Sequence, residues 1–410
     1  MKISPVKGTA DYLPAEVLIR DYLQNTILET YRSCGFERIT TPIIEDIENL
    51  DKSEGGENLN LIFKIMKRGE KLDEAIASGD PKEIPDMGLR YDLTLPLTRY
   101  YANNRAKLPS PFKVIQIDKV YRAERPQKGR MREFVQCDID IIGSNSWTAE
   151  VELIGTTAKA LHNIGFRNFN IRINDRRLLK AIIMGAGFGE DDCDSVCISL
   201  DKLDKIAAEG VNNELLSKNF APEAVEKLMS ALNVTPFTLE NAKELCGDIE
   251  CITNLEKILT AANSTADGYS VEYDMTLVRG QGYYTGTVFE ISSPDFRGAI
   301  GGGGRYDNLI GKFLGESVPA VGFSIGFERI AGILLDGKYE IPGIKPKMAV
   351  IYTEETFIDA LKRADELRKD YTVAVYEAPK KLGKFFARLE EGGFVGCAVM
   401  GQDEIKFFGK

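Results

Sequence analysis

Six basic side chains crowd one short stretch of an otherwise acidic chain. Lys119, Arg122, Arg125, Lys128, Arg130 and Arg132 stand there against a single acid, Glu124. Pro126 and Gly129 interrupt the run and put it on a turn between two strand-like segments. A solvated charge run is the ordinary reading of such a patch. Arginines on a rigid hairpin favour another, because planar guanidinium forks suit phosphate oxygens better than lysine does. A polyphosphate or RNA site is therefore expected. Two glycine clusters add to this. Gly280, Gly282 and Gly286 flank Arg279, Tyr283 and Tyr284, and Gly301–Gly304 is an unbroken run before Arg305, Tyr306 and Asp307. Both abut strand-like sequence, which favours a backbone that bends tightly or admits a flat ligand over a flexible loop. Gly322–Arg329 (GFSIGFER) leads from an apolar strand into a helix with Arg329 near its start, a place already suited to anions. A surface salt bridge is the plainer reading of that arginine. Asp92, Gln136 and Asp140, with Asp138 beside them, lie on apolar strands, where carboxylates are costly without a cationic partner.

Other chemistries are excluded by what the 410 residues lack. His162 is the only histidine, so there is no HExxH zinc helix, no Cys2His2 finger and no HxGH signature. A Ser-His-Asp triad would have to use that one residue. No GxxxxGK(S/T) loop occurs, and the glycines at 185, 187 and 189 follow a helical pattern that they fit as its end. The seven cysteines form no CxxC pair and read as buried free thiols. A net charge of −10 rules out a general nucleic-acid coat, so any such contact must be local. No apolar signal region or membrane-length apolar run is found, and a reduced, cytoplasmic protein without a membrane is expected.

These side chains need a frame. Apolar residues at helical spacing predict a helix over 15–35, ended by Gly35. The stretch 36–44 alternates like a strand that Pro42 demotes to an edge or bend. A strand-to-helix passage is expected over 87–102, a hairpin of strands at 112–121 and 134–142, and a helix over 147–164. Helical segments dominate from about 170 to 265. Strand texture returns at 271–277, 287–292 and 318–323, with glycines between. Residues 336–347 have the composition of a linker, and 348–401 follow a βαβαβ rhythm that implies a small, largely parallel α/β module.

Taken together, the motifs resemble one family. Residues 121–136 (YRAERPQKGRMREFVQ) closely resemble the second motif of class II aminoacyl-tRNA synthetases in its histidyl form. Residues 277–286 (LVRGQGYYTG) and 302–307 (GGGRYD) resemble the two motifs specific to histidyl-tRNA synthetases, and 322–329 the third class II motif. Residues 8–14 (GTADYLP) and Pro42 fit the family's start and first motif. The resemblance spans essentially the whole chain. It implies an α+β fold: a class II antiparallel sheet flanked by helices over 1–335 with the helical insert at about 170–265, a linker at 336–347, and a short α/β anticodon-binding-like domain at 348–410.

The resemblance also implies roles. Arg122 would grip the α-phosphate of ATP, with Glu124 near the adenine amino group and Arg329 on the γ-phosphate side. Arg279 would stabilise the α-phosphate in the transition state. Asp92, Thr94, Gln136 and Asp140 would hold the amino acid's ammonium and neighbouring atoms, and Tyr283, Tyr284 and Tyr306 would line the imidazole pocket. Gln127 would meet the acceptor end of tRNA. The implied reagents are L-histidine, ATP with Mg2+, and tRNA(His), in a homodimer; no Mg2+ ligands are assigned. Adenylation needs positioning and charge stabilisation rather than a nucleophilic side chain, which suits a site rich in Arg and Gly and free of histidine. Many relatives carry an acid before the tyrosine pair, where this chain has Gly282, and the C-terminal module is shorter than usual. The runner-up is the histidine-sensing regulatory subunit of ATP phosphoribosyltransferase. It keeps the class II fold but loses the ATP-gripping arginines, which are present here.

Overall fold

The computed structural model describes residues 3–51, 58–125, 131–279, 284–402 and 404–409. The chain forms two compact units, Met1–Tyr339 and Glu340–Lys410. Among the described residues, eleven strands belong to the first. They are β1 (Glu37–Arg38), β2 (Ile44–Asp46), β3 (Lys64–Met66), β4 (Pro85–Leu89), β5 (Phe112–Tyr121), β6 (Glu133–Ile142), β7 (Asn170–Asp175), β8 (Val271–Tyr273), β9 (Thr287–Ser293), β10 (Phe296–Arg305) and β11 (Ala320–Ile325). Eight of them make one sheet in the order β1-β5-β6-β11-β10-β9-β7-β8. Its six central strands are antiparallel, while β1 and β8 join the edges in parallel, so the expected antiparallel sheet is mixed at its rims.

Period-2 alternation decides what each face carries. On β6, Cys137, Ile139 and Ile141 are buried on one face, in line with Phe323 and Val321 of β11. The helices Pro14–Ser33, Thr148–Ile164 and Phe327–Asp336 pack against these strands and bury that face. Gln136, Asp138 and Asp140 alternate onto the other face, which is left for chemistry.

Two sequence expectations need correction. The single strand over 36–44 is split between β1 and β2, which belong to different sheets. The break falls at Thr41 and Pro42, whose carbonyl oxygens accept from the buried guanidinium of Arg90 instead of a neighbouring strand. Residues 170–175 are also not helical. Ile171 and Ile173 alternate with Arg172 and Asn174, and the segment pairs with β9. The helical run begins at Arg176 and ends at Thr265. Its first helix stops at Gly187, whose φ of 112° only glycine adopts without strain.

The second unit is a four-stranded sheet, β13-β12-β14-β15, formed by β12 (Lys347–Tyr352), β13 (Thr372–Glu377), β14 (Phe394–Val399) and β15 (Ile405–Phe407). Met348 and Val350 pack with Ala360, Ala364 and Leu367 of one helix. Ala349 and Ile351 face the opposite way, to Leu389 of the other. The parallel core of β12, β13 and β14 follows the expected rhythm, and the antiparallel β15 is an addition to it.

Candidate active site

Strand register assembles the polar face. Asp138 of β6 stands opposite Ser324 of β11, Ser324 opposite Gly302 of β10, Gly302 opposite Glu290 of β9, and Glu290 opposite Arg172 of β7. The neighbouring row runs from Asp140 through Gly322 and Gly304 to Val288. Asp140 therefore sits beside a bare glycine, Asp138 has Gly302 beyond Ser324, and the gap is a cavity. Its volume is about 60 Å3, and its lining includes Thr94, Gln136, Asp138, Asp140, Tyr284 and Tyr306. A water needs roughly 10–15 Å3 on this measure, so the space fits a small polar group rather than a nucleotide.

The glycine run thus has a different reason from the bend expected of it. Gly301–Gly304 is extended strand within β10. A Cβ on Gly303 would lie 2.0 Å from the carbonyl oxygen of Gly322, and one on Gly302 would lie 2.3 Å from the guanidinium carbon of Arg279. Close approach, the other half of the expectation, is the physical cause.

Burial sets the electrostatics. It pushes the Asp138 carboxyl up to about 7, a rise reinforced by Asp92 and opposed by Ser324, Arg122 and Gln136. Asp140 is also held well above the ordinary carboxylate range, by burial and by the Asp138 charge, although the Tyr306 hydroxyl donates to it at 2.6 Å. The hydroxyl of Tyr284 is pushed up to about 12, again chiefly by burial. Buried acids held this high favour a cation in their midst, because it would restore the charged form. Gln136 donates from Nε2 to the Asp138 oxygens at 3.3 and 3.5 Å, while its buried Oε1 has no hydrogen-bond partner among the described residues. Asp92 accepts from the Leu95 amide at 3.2 Å, at the start of the helix whose first residue is Thr94.

The arginines surround this acid row. Arg122 leaves the end of β5, donates from Nε to the Tyr91 carbonyl at 3.0 Å and lies 5.0 Å from the ring centre of Phe134. Arg279 lies over Gly302 and donates to Glu290 at 2.7 Å. Arg329 donates to the Ala299 carbonyl and sits 5.6 Å from the ring centre of Phe296. Residues of β10 before Gly301 run toward the end of β6 that carries Phe134, because Ile325 faces both Gly301 and Cys137. Arg122 and Arg329 are therefore at one end of the sheet, Tyr306 and Asp140 at the other. Neighbouring Glu328 is held by Arg20, which donates to its two oxygens at 2.6 and 2.8 Å.

The structure thus brings Asp92, Thr94, Gln136, Asp140, Tyr284, Tyr306, Arg122 and Arg279 to one face, and places Arg329 at the end of the same sheet, on the helix Phe327–Asp336. The backbone carbonyl of Glu124 accepts from Arg132 at the start of the basic turn. Gln127 and Tyr283 lie outside the described residues. Asp138 and Ser324 also line the cavity, and Glu290 and Arg172 continue their row; no sequence motif gives Ser324, Glu290 or Arg172 a role. Alternation along β6 does mark Asp138, since it shares the parity of Gln136 and Asp140. The other three needed the register of strands distant in sequence. His162 is on a helix of the apolar face, packed beside Phe169 and Tyr269, and takes no part in the cavity.

Known proteins share this arrangement. A family model for histidyl-tRNA synthetase matches residues 8–330. The chain is 44% identical over 347 residues to the histidine–tRNA ligase of Leifsonia xyli subsp. xyli, covering 81% of this chain and 80% of the relative. It is 35% identical to that of Christiangramia forsetii, covering 98% of this chain and 93% of the relative. The crystal structure of histidyl-tRNA synthetase from Nostoc sp. PCC 7120 matches it with a TM-score of 0.81 at 28% identity, over 98% of this chain and 93% of that one. With the family model spanning most of the chain and relatives this similar along its length, the chain belongs to the histidyl-tRNA synthetase family.

Proposed function

We propose that this chain activates L-histidine with ATP and passes the histidyl group to tRNA(His). One observation carries the reading: a single sheet face bears arginines at one end and buried acids at the other, with a small polar cavity at the acids. The α-ammonium of histidine sits among Asp92, Thr94 and Gln136, and its imidazole among Asp140, Tyr284 and Tyr306. The amino acid's carboxylate then points along the sheet toward Gly302. Arg279 lies two strands from Asp138, about 10 Å at ordinary strand spacing, which matches an amino acid followed by a phosphate.

A carboxylate oxygen of histidine attacks the α-phosphorus, and pyrophosphate leaves with the electrons of the bond it breaks. Arg122 holds the α-phosphate, Arg279 meets the charge that develops on it, and Arg329 holds the γ-phosphate side, while Glu124 reads the adenine amino group. The tRNA's terminal hydroxyl then displaces AMP from the histidyl carbonyl. Among the described residues no group of three or more His, Cys, Asp or Glu is placed to hold a metal ion. Mg2+ belongs to this reading as the counter-ion of ATP, and no step is derived through it.

Two further parts belong to this reading. A homodimer pairs through the region of β2 and β3, where Ile43, Ile44 and Met66 are exposed. The C-terminal unit, with Lys384 and Arg388 on the helix Leu382–Glu391, meets the anticodon stem. The decisive assay is histidine-dependent exchange of pyrophosphate into ATP. Exchange is expected in the parent, and Arg279→Ala is expected to lower it by about 10²–10³ with little change in histidine affinity. Histidine binding without exchange in the parent would overturn the reading in favour of a histidine sensor.

A further inference from the structure

The carboxylate of Glu290 joins two arginines that approach it from different elements. Arg279 reaches one of its oxygens from the segment after β8, with Nη1 at 2.7 Å, and Arg172 of β7 donates to the other. Arg172 in turn donates to Asp274 at 2.8 Å, and the second oxygen of Asp274 accepts from the amide and hydroxyl of Thr276 at 2.9 and 2.6 Å. An alternating chain of charge, Asp274–Arg172–Glu290–Arg279, therefore runs across the sheet and stops over Gly302.

Backbone register gives this chain its precision. Glu290 stands directly opposite Arg172 on one side and Gly302 on the other. The bare Gly302 leaves the space that the Arg279 guanidinium occupies, since a Cβ there would lie 2.3 Å from the guanidinium carbon. Glu290 cannot turn to follow Arg279, because its other oxygen is committed to Arg172. Partly exposed ion pairs contribute little to stability singly, and any stability the connected chain adds does not depend on where its last guanidinium is aimed. That orientation is what the chain fixes. Arginine carries five N–H donors, and anchoring one nitrogen fixes the fork while leaving donors for an anion.

We propose that Glu290, pinned by Arg172, is a positioning residue that aims Arg279 at the α-phosphate during adenylation. The inference rests on the role of Arg279 proposed above. It assigns to Glu290 no contact with substrate.

The test measures histidyl-adenylate formation in single turnovers for Glu290→Gln, Arg279→Ala and the double variant, with histidine and ATP titrated separately. Glu290→Gln keeps the shape and removes the charge. Its rate of adenylate formation is expected to fall about 10- to 100-fold, as a small misplacement of a catalytic group can cost, with the half-saturating histidine concentration unchanged. In the Arg279→Ala background the same substitution should cost nothing more, because its effect runs through Arg279. Arg172→Gln should lower the rate in the same sense and likewise lose its effect when Arg279 is absent. An equal loss in both backgrounds, or a parental rate in Glu290→Gln, overturns the inference while leaving the role of Arg279 intact. A near-parental rate in Arg279→Ala overturns that role and this inference together.

Discussion

Tyr306 reaches Asp140 across a strand that carries no side chain between them. Its hydroxyl donates to Asp140 Oδ1 at 2.6 Å, passing over Gly322, where a Cβ would lie 2.0 Å from that oxygen and 3.3 Å from the Tyr306 ring. Both side chains are buried, so the bond is shielded from water and fixes the acid in one orientation at the end of the cavity.

Removing that donor should be felt in binding before rate. Tyr306→Phe leaves a buried carboxyl without its partner, which costs roughly 1–3 kcal/mol. If the cavity takes imidazole, the apparent KM for histidine in pyrophosphate exchange rises about 10- to 100-fold, with kcat changed much less. The phenylalanine variant also holds the Asp140 proton more tightly, because the lost hydrogen bond had lowered its pKa. An unchanged KM would remove Tyr306 from the binding site.

Asp138 makes the fold sensitive to pH. Burial raises its carboxyl from an ordinary 3.8 to about 7, so the folded state holds a proton that the unfolded chain releases. The sign follows from linkage. The favourable contribution is complete below about pH 4 and is lost as pH rises through 7. The interval corresponds to about 4 kcal/mol at full ionisation. Asp138→Asn cannot ionise, so it should melt above the parent at pH 8 and lose that advantage at pH 4.5. Melting curves displaced equally at both values would contradict this origin.

The two glycines facing the cavity should separate binding from rate. Gly322→Ala drives a methyl into Asp140, whose short buried side chain has nowhere to move, so histidine KM rises steeply. Gly302→Ala meets the tip of a long arginine instead. That tip can swing aside at little cost to stability, which predicts a near-parental melting temperature with a large fall in kcat. Steady-state exchange kinetics on the pair check the contrast.

Arg90 ties the first motif to the hairpin that carries Arg122. Its wholly buried guanidinium donates to the carbonyls of Lys119 and Thr41 at 2.9 and 2.8 Å and pairs with Asp118 at 2.8 Å. Arg90→Met strands the buried carbonyls and should cost roughly 1–3 kcal/mol for each one left unpaired, read as a shift of the urea midpoint. Exchange should fall as well, because the neighbouring Tyr91 carbonyl is what Arg122 leans on. Lysine should not rescue either loss, since one ammonium cannot reach oxygens spread around a planar fork.

Much of this was legible in one dimension. The hairpin at 112–142 and its acids declare themselves by alternation, and the arginines by their company of glycine and proline. Arg90 gives no such signal, because one arginine just past a short strand looks like any solvated residue until Thr41 and Asp118 are brought around it. The Gly301–Gly304 strand misled for a related reason. Glycine has no intrinsic preference for strands, and only the strands on either side hold it extended. The split at Pro42 was half visible: proline marks the break, but the capture of the freed carbonyls by Arg90 is a tertiary event.

The row from Asp138 to Arg172 has a kinetic consequence. Its five members come from strands scattered between residues 133 and 325; only Glu290 and Gly302 share a hairpin, while Asp138 meets Ser324 and Glu290 meets Arg172 across more than a hundred residues of chain. Contacts this distant along the chain form late, after the entropy of large loops has been overcome. No early hairpin or isolated helix can hold a rudimentary version of the cavity. During refolding, helical signal should return first, and the capacity to bind an amino acid should appear all at once, with the last pairing of the central strands.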